Sequence, residues 1–135
     1  MKASKIVYWI TTSLITLMML FSAWSYLTNN QIKQAFIHLG FPGYFRVELA
    51  VAKIAGAILL LAPVAARIKE WVYAGFTIVF ISAVVAHISS GDPTSVYIMP
   101  VIFLVVLLVS YASYLKLSAT GTKHTRQTHL TQSPA

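Results

Sequence analysis

The chain has 135 residues, of which 58 % are hydrophobic and 10 % charged; ten Lys or Arg against three acids give a net charge of +7. Soluble proteins carry about 45–50 % apolar and about 25 % charged residues, and a small domain exposes too much surface for so few charges to cover, so soluble, disordered and collagen-like classes are excluded and the basic excess points to a bilayer. The absence of Cys excludes disulfides, thiolate catalysis, iron–sulfur ligation and c-type haem attachment.

Four apolar spans follow one another, at 6–27, 47–66, 71–88 and 96–115. Each is close to the ~20 residues that carry a helix across a ~30 Å hydrocarbon core. A backbone in lipid must satisfy its own hydrogen bonds, so the spans are predicted as helices; they are too long and too poor in alternation for barrel strands. The first follows Lys2 and Lys5 but has bulky Trp24 where a signal-peptidase site would need small residues, so it reads as a retained helix. Between the first and second spans, Ile32, Phe36 and Leu39 share one helical face, Asn30 is placed to cap it, and Gly40-Phe41-Pro42-Gly43 stops it. That pattern predicts a short amphipathic helix on the membrane surface or over the mouth of the bundle. Pro63 helps to end the second span, and 67–70 reads as a tight polar loop. Gly91 and Pro93 make the next turn. The fold class is therefore all-α: a four-transmembrane-helix bundle, residues 1–118, followed by a flexible cytoplasmic tail, 119–135, that is polar and has nothing to bury.

Positive charge sets the orientation. With the N-terminus inside, the inner side holds Lys2, Lys5, Arg67, Lys69, Lys116, Lys123 and Arg126, the outer side only Lys33 and Arg46, and Lys53 lies within the bilayer. This bias places both termini in the cytoplasm of a multi-pass membrane protein. Tyr8, Trp9, Trp71, Tyr73, Tyr111 and Tyr114 fall at one level and Trp24, Tyr26, Phe41, Tyr44, Phe45 and Tyr97 at the other, as interfacial belts do.

Charges inside a span are expensive and usually face the protein interior. Arg46 and Glu48 open the second span at its outer end, and Lys53 lies two turns deeper, about 10 Å along the axis. His87 closes the third span at the same end, Asp92 follows in the outer turn, and Ser22, Ser25 and Tyr26 close the first. Glu48, Lys53, His87, Asp92, Arg46 and Tyr26 are thus the candidate ligand-binding residues, while the inner half reads as chemically almost featureless. Glu48 and Lys53 stand about 140° apart around their helix, which is poor for a pair; Lys53 is expected to reach His87, Asp92, a tyrosine hydroxyl or a ligand. Each also has a plain structural reading: Lys53 snorkelling to the interface, Glu48 complementing a helix N-terminus, His87 bonding to backbone. Ala52 and Gly56 form a small-xxx-small pair that lets helices approach. No phosphate-binding loop, nucleophile elbow, metalloprotease motif or metal site is evident, and no catalytic residue is assignable.

The segments Lys5-Ile6-Val7-Tyr8-Trp9, Leu39-Gly40-Phe41-Pro42, Arg46-Val47-Glu48-Leu49, Ala52-Lys53-Ile54-Ala55-Gly56-Ala57, Leu59-Leu60-Leu61-Ala62-Pro63, Lys69-Glu70-Trp71 and Ala86-His87-Ile88-Ser89-Ser90-Gly91-Asp92 occur in this order. Over about residues 5–116 the chain resembles the DoxX-like family of small four-helix bacterial membrane proteins. The resemblance implies a link to membrane redox chemistry, since the broader group includes a subunit of a thiosulfate:quinone oxidoreductase. The function expected is a membrane subunit or anchor of an oxidoreductase system. Its partners would be the bilayer and an oxidoreductase protein, with oligomers allowed and no nucleic acid, and quinone is the candidate cofactor at the outer mouth. The alternatives are a structural or assembly protein without a small ligand and, less favoured, a small transporter.

Overall fold

The computed structural model describes residues 2–132. Among the described residues there are five helices and no strand: α1 (Lys2–Thr28), α2 (Asn30–His38), α3 (Gly43–Leu61), α4 (Ala66–Ser89) and α5 (Thr94–Gln132). Three of them, α1, α4 and α5, are long and apolar enough to cross a membrane. At 19 residues α3 spans about 28 Å, but it carries Arg46, Glu48 and Lys53.

The chain breaks where the sequence supplies a local reason. Asn29, in an extended conformation, separates α1 from α2, and its side chain accepts the Gln31 amide at 2.8 Å. It is thus Asn29, not Asn30, that caps α2, because the cap must sit just outside the first helical residue. Both α2 and α4 end in the same way. Gly40 (φ 81°) and Gly91 (φ 74°) adopt the left-handed conformation that glycine tolerates best. The amides of Phe41 and Gly40 return to the carbonyls of Phe36 and Ile37; those of Asp92 and Gly91 return to His87 and Ile88. These are Schellman closures.

The second span ends earlier than its hydropathy indicates. Ala62 is extended (ψ 150°) ahead of Pro63, and α4 begins at Ala66. Proline disfavours the helical region for its predecessor. The loop is therefore 62–65, and the polar residues 67–70 lie in the first turns of α4. At the other extreme, α5 runs on as helix to Gln132, through most of the polar tail. Nothing in this stretch forbids helix, and the hydroxyls of Thr120, Thr122, Thr125 and Thr128 each donate to the carbonyl four residues back. The stretch is exposed throughout, so it buries nothing, as its polarity implies.

In the packed body α1 lies between α3 and α5, and α4 packs on α5; the α3–α4 contact is sparser than these. The core comprises Ile15 and Met19 of α1, Ala57 and Leu60 of α3, Val72, Tyr73, Phe76 and Phe80 of α4, and Leu107 of α5. The α3–α4 contact depends on Gly56. A Cβ there would lie 2.5 Å from Cζ of Phe76, so the ring occupies the space that a side chain would need. Outside the core, large apolar residues face outward, among them Phe21 at 72 % and Trp71 at 74 % exposure. In water such a surface would be one continuous apolar patch; in lipid it is the expected exterior.

Candidate functional site

Two polar groups form at the α2 end of the body. The first is centred on Lys53, which is only 5 % exposed. Its Nζ donates to Ser22 Oγ at 2.8 Å and lies 3.6 Å from the centroid of the Tyr26 ring. Ser22 and Tyr26 are one turn apart on α1, so one face presents both. Arg46, two turns before Lys53 on α3, donates through Nη1 to the Tyr26 carbonyl. The ammonium therefore does not snorkel to the interface. It is held in place by a hydroxyl and by the negative face of an aromatic ring, an interaction worth about 2 kcal/mol or more when desolvated. Glu48 is exposed and takes no part; among the described residues it forms no ion pair.

The second group is centred on Asp92 and follows from the closure of α4. A Schellman closure usually brings an apolar C″ residue against an apolar C3 residue. At the end of α2 those positions are Phe41 and Phe36, whose ring centroids are 6.0 Å apart. At the end of α4 they are Asp92 and His87, and the contact is a hydrogen bond of 2.6 Å from Nδ1 to Oδ2. The other carboxylate oxygen receives Nε2 of His38 at 3.1 Å, from the last turn of α2. An ionised carboxylate only accepts, so both ring nitrogens donate. The His87 bond holds the Asp92 carboxyl below the ordinary carboxylate range; partial burial opposes this, and the His38 bond adds to it.

Between the two groups is a cavity of about 630 Å³, walled among others by Tyr26, Phe36, Leu39, Phe45, Ala86 and His87. Its size falls in the usual range for small-molecule sites, about 300–1,000 Å³. Tyr26 belongs to both features, lying under the Lys53 ammonium and lining the cavity. A narrower crevice of about 390 Å³ adjoins it along the α3–α4 seam. Among the described residues no three His, Cys, Asp or Glu are grouped to hold a metal ion.

Of the six candidates, Tyr26, Arg46 and Lys53 meet in one group, His87 and Asp92 in the other, and Glu48 in neither. His38 was not singled out from the sequence, although its place in the last turn of an amphipathic helix was a usable signal. The opposite half of the body is also not featureless. Ser110 Oγ lies 2.7 Å from Thr12 Oγ1 and 2.8 Å from the Tyr73 hydroxyl, all buried. Lys69 donates to the Tyr8 hydroxyl at 3.3 Å. The signal was the spacing of Tyr8, Thr12 and Thr16 at successive turns of α1. The Thr16 hydroxyl is buried without a partner, and Met19, fully buried one turn further on, separates it from Ser22.

The profile of the DoxX-like family matches residues 10–110, well over half of the chain. Comparison with curated proteins and with solved structures gives no match.

Proposed function

The chain belongs to the DoxX-like family, and we propose that it is a membrane subunit or anchor of an oxidoreductase system that holds a quinone at its α2 end. The observation that carries this reading is the apolar cavity with His87 and Tyr26 in its wall. A quinone head needs an apolar slot and one or two donors for its carbonyls. The Tyr26 hydroxyl is one donor, and His87, oriented by Asp92 through Nδ1, donates through Nε2 when its ring is protonated. With no Cys in the sequence, electrons would come from the partner oxidoreductase, while this chain binds and orients the head.

The topology that goes with this function has four spans, α3 being the fourth. Two of its charges are in its first two turns, at the interface, and the third is satisfied by Ser22 and Tyr26. The excess of Lys and Arg on the other side supports cytoplasmic termini in an inner-membrane protein, with the α2 end outside. The membrane unit is residues 1–118, and 119–135 is an appended cytoplasmic arm.

The test is to purify the protein in nanodiscs, extract the bound lipids and assay for quinone. Retained quinone, weakened in Lys53→Met and Tyr26→Phe, supports the reading. A folded protein with no quinone and no affinity for added quinone overturns it. A second reading draws on one observation: Arg46 and Lys53 are both bonded to α1, as expected if they only lock α1 to α3 in an assembly protein. In that case Lys53→Met costs folding, and a partner protein is recovered without quinone.

A further inference from the structure

The crevice between α3 and α4 runs directly into the outer cavity. Leu49 and Val79 line both. Together the two line α4 from Ile68 to His87, which is about 28 Å of helix and close to the ~30 Å hydrocarbon thickness. The upper part is roofed by α2, whose Ile32, Phe36 and Leu39 line it, and α2 is tied across the mouth by His38 to Asp92. The lower part is walled mainly by large apolar residues such as Leu59, Ile68 and Trp71, with Lys53 near its upper end, and the small residues Ala52, Ala55 and Gly75 are exposed on its rim. In the upper part Ile78 is 63 % exposed. The track is therefore covered towards the outer water and open sideways, towards lipid.

We infer that the α3–α4 seam is a lateral entrance from the bilayer and that it holds the single long isoprenoid chain of the same quinone whose head occupies the outer cavity. This rests on the reading above and adds two things to it: the ligand arrives through the membrane, and its chain is part of what is recognised. A shape argument selects one chain over bulk lipid. Lipid tails are as apolar as the protein wall, so the seam offers no hydrophobic gain. It offers packing against a fixed groove instead, which a single unbranched path along α4 can supply and a two-chain lipid cannot match while its headgroup stays outside a cavity roofed by α2.

The experiment measures binding to nanodisc-embedded protein of a tail-less quinone and of quinones with progressively longer isoprenoid chains, with concentrations taken per mole of lipid. The variant is Gly75→Phe, because a Cβ at Gly75 meets no atom within 4 Å and the ring would fill open crevice. In the wild type, affinity should rise with chain length to about tenfold over the tail-less head, equivalent to about 1.4 kcal/mol. In Gly75→Phe the long-chain ligand should bind as weakly as the tail-less one, whose own binding is unchanged. Binding of the tail-less head with no gain from chain length overturns the inference and leaves the quinone reading standing. Binding of no quinone at all overturns both. A variant that loses a dimer but keeps the chain-length gain assigns the seam to a second copy and overturns the inference.

Discussion

The two halves of the body each bury polar groups, and they do so differently. Towards the N-terminal end of α1 the fully interior groups are neutral hydroxyls: Thr12, Ser110 and Tyr73 bond to one another on three helices, and a nearby cation, Lys69, reaches the Tyr8 hydroxyl from a partly exposed position. Each has a partner, and the arrangement needs nothing from outside. At the α2 end the groups are charged and uneven in number. Among the described residues Lys53 has a hydroxyl and a ring but no carboxylate, while the Asp92 carboxylate is bonded to two histidines beside a cavity. Neutral, mutually satisfied groups fasten helices; a buried charge without a counter-charge is costly, which makes Lys53 the residue on which to test for a function.

Replacing the central hydroxyl, Ser110→Val, should sharpen that contrast most. It leaves Thr12 and Tyr73 both buried and unpaired, at about 1–3 kcal/mol for each, seen as a lower unfolding midpoint in detergent while quinone binding to the folded fraction persists. Next is Gly56→Ala, between the two halves. Its Cβ meets the buried Phe76 ring, and overpacking of this kind costs about 1–3 kcal/mol. Here the α3–α4 seam should widen, read as faster hydrogen exchange in both helices. Lys53→Met should separate stability from binding: removing a buried charge for an apolar isostere leaves the midpoint unchanged or raised while quinone retention falls. A lowered midpoint with retention intact would break the comparison.

Asp92→Asn should act locally, speeding amide exchange in α2 and leaving the neutral half untouched. The pH dependence follows from the same bonds. The folded carboxyl titrates below its unfolded value, so its contribution is complete above the unfolded pKa and disappears as the pH falls through the lower, folded one. Protection of α2 should therefore fade as the pH falls through that acid range. The smallest effect belongs to Tyr26→Phe, which keeps the ring under Lys53 and should change stability by less than about 0.5 kcal/mol, its consequence being confined to ligand binding.

Much of this was legible along the chain. The apolar spans, the stops at Gly40 and Gly91 and the face made by Ile32, Phe36 and Leu39 are local or periodic signals, and the helices follow them. The boundary at Ala62 is hidden from hydropathy, which continues through Val64 and Ala65, while the backbone responds to Pro63. The site was half legible. Scarcity of charge picked out Lys53, His87 and Asp92, but not their partners. Ser22 is joined to Lys53 across 31 residues and His38 to Asp92 across 54. Such pairs depend on helix azimuth and on how α2 lies over the mouth, and neither is encoded in a span of twenty apolar residues. Glu48 shows the converse: its depth matched that of its neighbours, but its side of the helix did not.

The place of Trp71 gives the molecule an optical consequence. Its indole lines the crevice and is largely uncovered, while the other two tryptophans, Trp9 and Trp24, lie on α1. With Trp9 and Trp24 replaced by Phe, the remaining emission becomes a gauge of whatever touches the seam. Its colour would respond to local polarity and its lifetime to a quenching ring or a brominated tail, so occupancy could be followed in real time without attaching a dye.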